Sequence, residues 1–591
     1  MDFGPRSAVC GLWSLNHPQP FYTSWRLARS SGQRLCYNSI LMLNSVETTP
    51  PTTFSVRTIK NIAISPRLVI AAGLVALFVA IPLVYIFVRA FSAEPDAWSR
   101  LFQTRIWKLL GNTLLLVLAV TGGAVVTGVS MAWLTERTDL PGRKVFRWML
   151  AMPLAIPAYI GGIVHLALLR PRGGIIPQVL ERVFGQPIPT PSPIGFWGAT
   201  FILTLFMFPY VYLLSGAAFR SLHASLEEAS RVFGRTPLQT FFHVTLPALR
   251  PGLMAGALLV ALDILAEYGT VALLRYETFS SAIFVQLSGR YDRSSASVLS
   301  GILVALAILI LWGELRLQGR ARFTQMESAW RPAPVIGLGK WRVPALLLAM
   351  GIVFASLIVP VAVLLVWSVQ ALLDPQTLAV IVRTGSQGFG SYVWNSLWSS
   401  GLAALIAVIF SLPVALLAVR YPNRFSRFVS RLCQVGYAIP GVVIALSLVL
   451  LVNRALPILY ATPLVVVIAY VLRHMPQAVR ASESALNQLS PSLEEASRTL
   501  GRTSLQTLVQ VTLPLILPGL LAGGSLVFLT SLKELPATLL LRPPGFDTLA
   551  VRVWVWAGEG FYVPAAPAAL LLVIASALPL SFLLRREQIF K

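Results

Sequence analysis

Residues 225–253 read SLEEASRVFGRTPLQTFFHVTLPALRPGL, and residues 492–520 read SLEEASRTLGRTSLQTLVQVTLPLILPGL. Twenty of the 29 positions are identical, at a constant offset of 267 and without a gap. Chance does not produce such a match, so the chain is an internal duplication. The duplication reaches upstream: Asn112 matches Asn395, Arg137 matches Arg420, and Ala155-Ile156-Pro157 matches Ala438-Ile439-Pro440, now at an offset of 283. The drop of 16 residues places an insertion in the Pro- and Gly-rich stretch around 170–195 of the first half, where an extra surface loop is the simple account.

Each copy of the repeat reads as two short helices. Ser225 with Glu228, and Ser492 with Glu495, have capping-box spacing. Gly234 and Gly501 stand where a glycine beyond the C-terminus would stop the first helix. Thr236 with Gln239, and Thr503 with Gln506, repeat the capping logic, with Pro237 tolerated at a first helical position. Pro247, Pro251, Pro514 and Pro518 are expected to break the run before the next apolar stretch.

The rest of the chain is made for lipid. Of 591 residues, 56% are hydrophobic and 12% charged, with a mean hydropathy of +0.73. So few charges cannot cover a soluble protein of this length. Spans of about 20 apolar residues are expected near 68–90, 109–134, 147–169, 195–219, 252–274 and 294–315. A second set lies near 343–368, 393–419, 428–452, 460–477, 516–541 and 563–584. The fold class is therefore an all-α polytopic membrane protein, with about twelve transmembrane helices in two homologous six-helix halves. The net charge of +24 comes from short loops between apolar runs, which speaks for topology and against nucleic acid. Loops 135–146, 316–342 and 420–427 are rich in Arg and Lys, which places both termini in the cytoplasm. Cys10, Cys36 and Cys433 have no paired spacing, excluding a disulfide scaffold or cysteine metal site.

Residues 1–60 are polar and form an N-terminal extension, expected to be disordered or in part a gene-model artefact with translation starting at Met42; a transit peptide is the other reading. The first repeat is bounded at 61–318, a cytoplasmic linker at 319–341, and the second repeat at 342–591.

The pattern E-A-(A/S)-x₃-G-x₉-(I/L)-x-L-P, carried here by Glu228-Ala229-Ser230, Gly234, Leu246 and Pro247 and again by Glu495-Ala496-Ser497, Gly501, Leu513 and Pro514, closely resembles the coupling loop of binding-protein-dependent ABC importer permeases. Thr245 and Thr512 occupy the unspecified position before the Leu-Pro of each copy. The resemblance covers about residues 60–591. It implies a multi-pass permease of the bacterial inner membrane whose coupling residues are Glu227, Glu228, Ala229, Gly234 and Pro247, with Glu494, Glu495, Ala496, Gly501 and Pro514. It further implies two copies of a cytoplasmic ABC ATPase and an extracytoplasmic solute-binding protein as partners, alongside membrane lipid. No G-x-x-x-x-G-K-[ST] phosphate loop occurs in the chain, the nearest wording being Gly337-Leu338-Gly339-Lys340. ATP is thus expected to be hydrolysed by partner subunits, with no cofactor on this chain, which is not expected to be an enzyme.

Fusion of two copies, together with the stretch from Lys533 to Pro543 and Phe546 to Ala550, resembles the ferric-iron permeases, and related wording occurs in the thiamine branch. Charges inside spans are functional candidates because burial is costly. Glu267 and Glu534 occupy matching positions, and Asp263 is matched by Thr530. Glu267 falls roughly 15 residues into its span, about 22 Å along a helix. Two facing carboxylates would suit a hard trivalent cation, although no metal-ligand set can be named. Equally open is a structural role, with Glu534 paired to Lys533 or Arg542 and Glu267 to Arg275. Lone His165 and His474 read as hydrogen-bonding groups between helices. A secondary transporter would share twelve spans and an internal repeat, but needs no paired cytoplasmic helices.

Overall fold

The computed structural model describes residues 65–186, 190–222, 224–317, 335–383, 388–436 and 439–589. The N-terminal extension, Met42, Cys10, Cys36, Ala438 and most of the inter-repeat linker lie outside them. The described residues are helical, without a β-strand. Among the described residues, ten helices are long and apolar enough to cross a membrane.

In the first half these are α1 (Pro66–Phe91), α2 (Ile106–Arg137), α4 (Phe196–Ser221), α6 (Leu246–Ala266, entered through a π turn at Phe241–Thr245) and α8 (Arg293–Leu317). The second half supplies α9 (Gly339–Leu373), α10 (Phe389–Arg420), α13 (Pro463–Gln488), α15 (Leu513–Leu532) and α17 (Tyr562–Ile589). The expected third span of each half is broken. In the first, Arg143–Ala155 and α3 (Ala158–Leu169) meet at a 94° bend. In the second, α11 (Arg424–Val435) is followed by α12 (Gly441–Ala455), 15 residues long. The cause is Pro157 and Pro440. Proline disfavours helical geometry in the residue before it, and Ile156 is extended at φ −91°, ψ 117°.

The fifth spans are also interrupted, which corrects the uniform runs 252–274 and 516–541. Helix α6 stops at Ala266 and a short α7 (Gly269–Leu273) follows, while α15 stops at Leu532 before α16 (Pro536–Leu541). At their other ends the prolines do not break the run. Pro247 and Pro514 sit in the first turn, and Pro251 and Pro518 lie inside continuous helices. The π turns at Phe241–Thr245 and Leu508–Thr512 loosen the backbone ladder where proline supplies no donor.

In each half three helices form the packed centre: α2, α4 and α6 in one, α10, α13 and α15 in the other. Close approach rests on glycine. A Cβ on Gly256 would lie 2.9 Å from the Val211 main chain of α4, and one on Gly523 would lie 2.5 Å from the Ala481 side chain of α13. With Gly252 and Gly519, each fifth span carries a small-x₃-small stripe of the kind that packs membrane helices. Helix α1 packs on α8 of its own half and also reaches across to α10, α11 and α12 of the other. Ser447 of α12 donates to the Pro82 carbonyl at 2.6 Å across that contact. The 16-residue excess of the first half contains an amphipathic helix, Ile175–Phe184, where the second half has only the 3₁₀ turn Pro457–Leu459.

Candidate functional site

Two regions gather the chemistry: a cavity between the halves, and a pair of short helices at one end of the bundle. The cavity forms where the interrupted fifth spans of both halves meet the fourth spans of both halves and the broken third span of the first, and its volume is about 130 Å³. Helix α6 brings Asp263 to it and the break after α6 brings Glu267; the break after α15 brings Lys533 and Glu534, and α13 brings Arg473, His474 and Gln477. Breaks matter here because a helix end frees main-chain groups that a continuous span would consume. Glu267 uses one of them, accepting from the Thr270 N–H at 2.7 Å. That geometry replaces the expected position partway along an unbroken helix.

Neither expected ion pair forms. Glu534 is engaged by Arg473 at 3.0 Å, with His474 3.8 Å away. Lys533 instead crosses to the first half and donates to the Leu154 carbonyl at 2.8 Å. Arg542 pairs with Asp547. A buried carboxylate without a cation is costly, and Arg473 meets that demand for Glu534. Glycine makes room for the pair: a Cβ on Gly441 would come within 2.7 Å of Arg473 Nη1 and closer still to Glu534 Oε1. The Nε2 of His474 is buried with no hydrogen-bond partner among the described residues. His165 is different, bonded at Nδ1 to the Gly161 carbonyl at 2.8 Å within its own helix.

The cavity is built symmetrically and lined asymmetrically. At the offset of 267, Phe206 corresponds to Arg473, Met207 to His474, Tyr210 to Gln477, Asp263 to Thr530 and Ala266 to Lys533. Only the glutamates recur. Thus the first half contributes two carboxylates, and the second contributes two cations and a glutamate already paired. Arg473 and Gln477 are the residues that reading single spans missed, and position-by-position comparison of the halves would have found them. Among the described residues, no group of three or more His, Cys, Asp and Glu side chains has metal-holding geometry.

The second region comprises α5 (Ala224–Val232) and α14 (Pro491–Thr499), nine residues each. Helix α14 begins earlier than its S-x-x-E spacing suggests. Its N-cap is Ser490, whose hydroxyl accepts from the Ser492 N–H, so Glu495 closes no capping box with Ser492. Past the helix ends, Gly234 and Gly501 take φ values of +80° and +85°, a left-handed turn that glycine adopts without strain. The T-x-x-Q boxes form in both copies, with Gln239 and Gln506 accepting from the N–H of Thr236 and Thr503 and the hydroxyls accepting in return.

The two adjacent glutamates of each helix part company. Glu227 and Glu494 are buried, whereas Glu228 and Glu495 are exposed. Glu227 binds Arg137 at the end of α2 and accepts from Thr245 at 2.9 Å. Glu494 binds Arg420 at the end of α10 at 3.0 Å and accepts from Thr512 at 3.3 Å. Exposed beside them are large apolar side chains: Phe233 is 84% exposed and Leu500 81%, more than an isolated surface would favour.

Comparison with known proteins agrees with this architecture. The family model for binding-protein-dependent transport system inner membrane components matches twice, at residues 124–313 and 411–586. The Fe(3+)-transport system permease protein FbpB 2 of Haemophilus influenzae is 34% identical over 527 residues, covering 87% of this chain and 96% of that protein. The ferric transport system permease protein FbpB of Actinobacillus pleuropneumoniae is 26% identical, over 86% of this chain and 76% of its own length. The sulfate transport system permease protein CysT of Salmonella typhimurium is 30% identical over 202 residues, 33% of this chain and 70% of that one. Among solved structures, the inward-facing MetNI methionine ABC transporter matches over 37% of this chain at 20% identity, with a TM-score of 0.31. The duplicated family match, the helix content and the near-full-length relatives together establish that this chain belongs to the family of binding-protein-dependent transport system inner membrane components, as a multi-pass ABC importer permease with two repeats fused in one polypeptide.

Proposed function

We propose that the chain is the membrane channel of a ferric-iron importer, receiving its cargo from an extracytoplasmic binding protein and driven by two cytoplasmic ATPase subunits that dock on α5 and α14. Both termini then face the cytoplasm, on the side of the Arg-rich loops. Closure of the ATPases on ATP would bring the two helices together and tilt the halves about the central cavity, exchanging inward- and outward-facing states. The observation that carries the docking reading is the duplicated presentation of an exposed glutamate and exposed apolar residues on two short, capped helices. ATP chemistry belongs to the partners, and this chain supplies the path.

For cargo, the support is the near-full-length relative whose name specifies Fe(3+) transport, together with Asp263 and Glu267 in the cavity. Oxygen ligands suit a hard cation, and a path needs ligands weak enough to release it, which fits two carboxylates better than a closed cage. A small oxyanion is the second reading, because Arg473, Lys533 and His474 line the same cavity, the last with a buried Nε2 that meets no hydrogen-bond partner among the described residues. Uptake of radiolabelled ferric iron, sulfate and thiamine by cells with and without the chain tests these readings. Selective loss of ATP-dependent iron uptake is expected; loss of sulfate or thiamine uptake with iron unchanged would overturn the cargo and leave the importer standing.

A further inference from the structure

The buried glutamate of each short helix sits in a three-membered linkage that the two halves build independently. In the first half it joins Arg137 at the end of α2, Glu227 on α5 and Thr245 at the foot of α6. In the second it joins Arg420 on α10, Glu494 on α14 and Thr512 at the foot of α15. The residues come from separate parts of the sequence, with arginines at an offset of 283 and glutamates and threonines at 267, yet the same three residue types meet in both halves. A second link repeats beside it: Ser230 bonds Thr240 at 3.1 Å, and Ser497 bonds Thr507 at 3.0 Å. Arg420 additionally donates to the Leu489 carbonyl just before α14.

Threonines 245 and 512 occupy the unspecified position just before the Leu-Pro of the coupling pattern. An aliphatic side chain could not donate to the glutamate. The hydroxyl satisfies a second lone pair on a carboxylate that is shut away from water, where an unmet acceptor is costly. The threonine and the buried glutamate therefore make one device.

We infer that Glu227 and Glu494 are positioning residues that transmit force, binding each short helix to the second and fifth spans so that the three move as one body; the exposed Glu228 and Glu495 are left for the ATPase. A charged hydrogen-bonded pair resists both separation and sliding, which apolar contact alone does not. The fifth span ends at the cavity, at Glu267 in one half and Lys533-Glu534 in the other, so displacement of a short helix reaches the cargo path through one rigid element. This inference rests on the reading of α5 and α14 as ATPase docking helices.

The test uses the assembled transporter in proteoliposomes, comparing wild type with Glu227→Gln/Glu494→Gln and with the milder Thr245→Val/Thr512→Val. Three quantities are measured: ATPase retained on purification, ATP hydrolysed, and cargo taken up per ATP. Full ATPase retention with uptake per ATP reduced about fivefold or more is expected for the glutamine pair, and a smaller fall for the valine pair. Unchanged uptake per ATP, with only the amount of folded protein reduced, would show a structural role and overturn the inference. Loss of ATPase retention in the glutamine pair would make these glutamates docking residues, which also overturns it. If the wild-type chain retains no ATPase, the docking reading itself falls, and the inference with it.

Discussion

Lys533 donates a hydrogen bond to the main-chain carbonyl of Leu154, 379 positions earlier, at 2.8 Å. The bond joins the fifth span of one half to the broken third span of the other. It can exist only because Pro157 ends a helix there and leaves carbonyls of the preceding turn free. Replacing Lys533 by Met should weaken the joint by about 1.5–3 kcal/mol, the usual range for a hydrogen bond to a charged group. Lower thermal stability of the purified chain in detergent checks this, and an unchanged melting temperature would exclude the bond as a structural tie.

Removing one member of the Arg473–Glu534 pair should cost far more than removing both. Arg473→Met strands a buried carboxylate and is expected to destabilise the chain by roughly 3–5 kcal/mol, whereas Arg473→Met with Glu534→Leu should recover most of that loss. Denaturation of the three proteins measures the difference. Uptake adds the functional half of the answer. A stable double variant that no longer transports would show that the pair contributes to the path as well as to the fold.

Gly441 tests the packing around that pair. Alanine there would push its Cβ into the Glu534 carboxylate, with an expected cost of about 1–3 kcal/mol from overpacking. At Gly351 an added Cβ would meet nothing within 4 Å, so alanine should be accepted there without loss. Equal effects at the two sites would contradict the close approach at Gly441.

On the cargo side, Glu267→Gln and Asp263→Asn preserve shape and remove charge from the half that has no cation of its own at the cavity. Ferric uptake should fall at least about tenfold for the double variant while ATPase retention stays normal, if these carboxylates meet the cargo. Expression in the membrane fraction, followed by uptake, separates transport loss from failed insertion.

Much of this was legible from residues alone. The 29-residue repeat established the duplication, and the apolar runs established a helical membrane protein, because periodicity and span length are local properties of the chain. The positive-φ glycines and the T-x-x-Q caps were likewise readable, since each depends on residues within one turn of one another. Sequence comparison of the halves could also have exposed the asymmetry of the cavity, where Phe206 faces the place of Arg473 and Ala266 that of Lys533.

The partners of the charges were decided only in three dimensions. Glu534 chose Arg473, 61 positions away on another helix, over its neighbour Lys533, because the break after α15 turns the two side chains to different sides. Ser490 rather than Ser492 became the cap because the preceding span delivers the chain to that point. Of two adjacent glutamates, one was buried against Arg137 and the other left exposed, an outcome set by which face of α5 the bundle covers. Local rules act over a turn of helix and are written in neighbouring residues; pairing across hundreds of positions depends on how the broken spans converge, and that is a property of the packed whole.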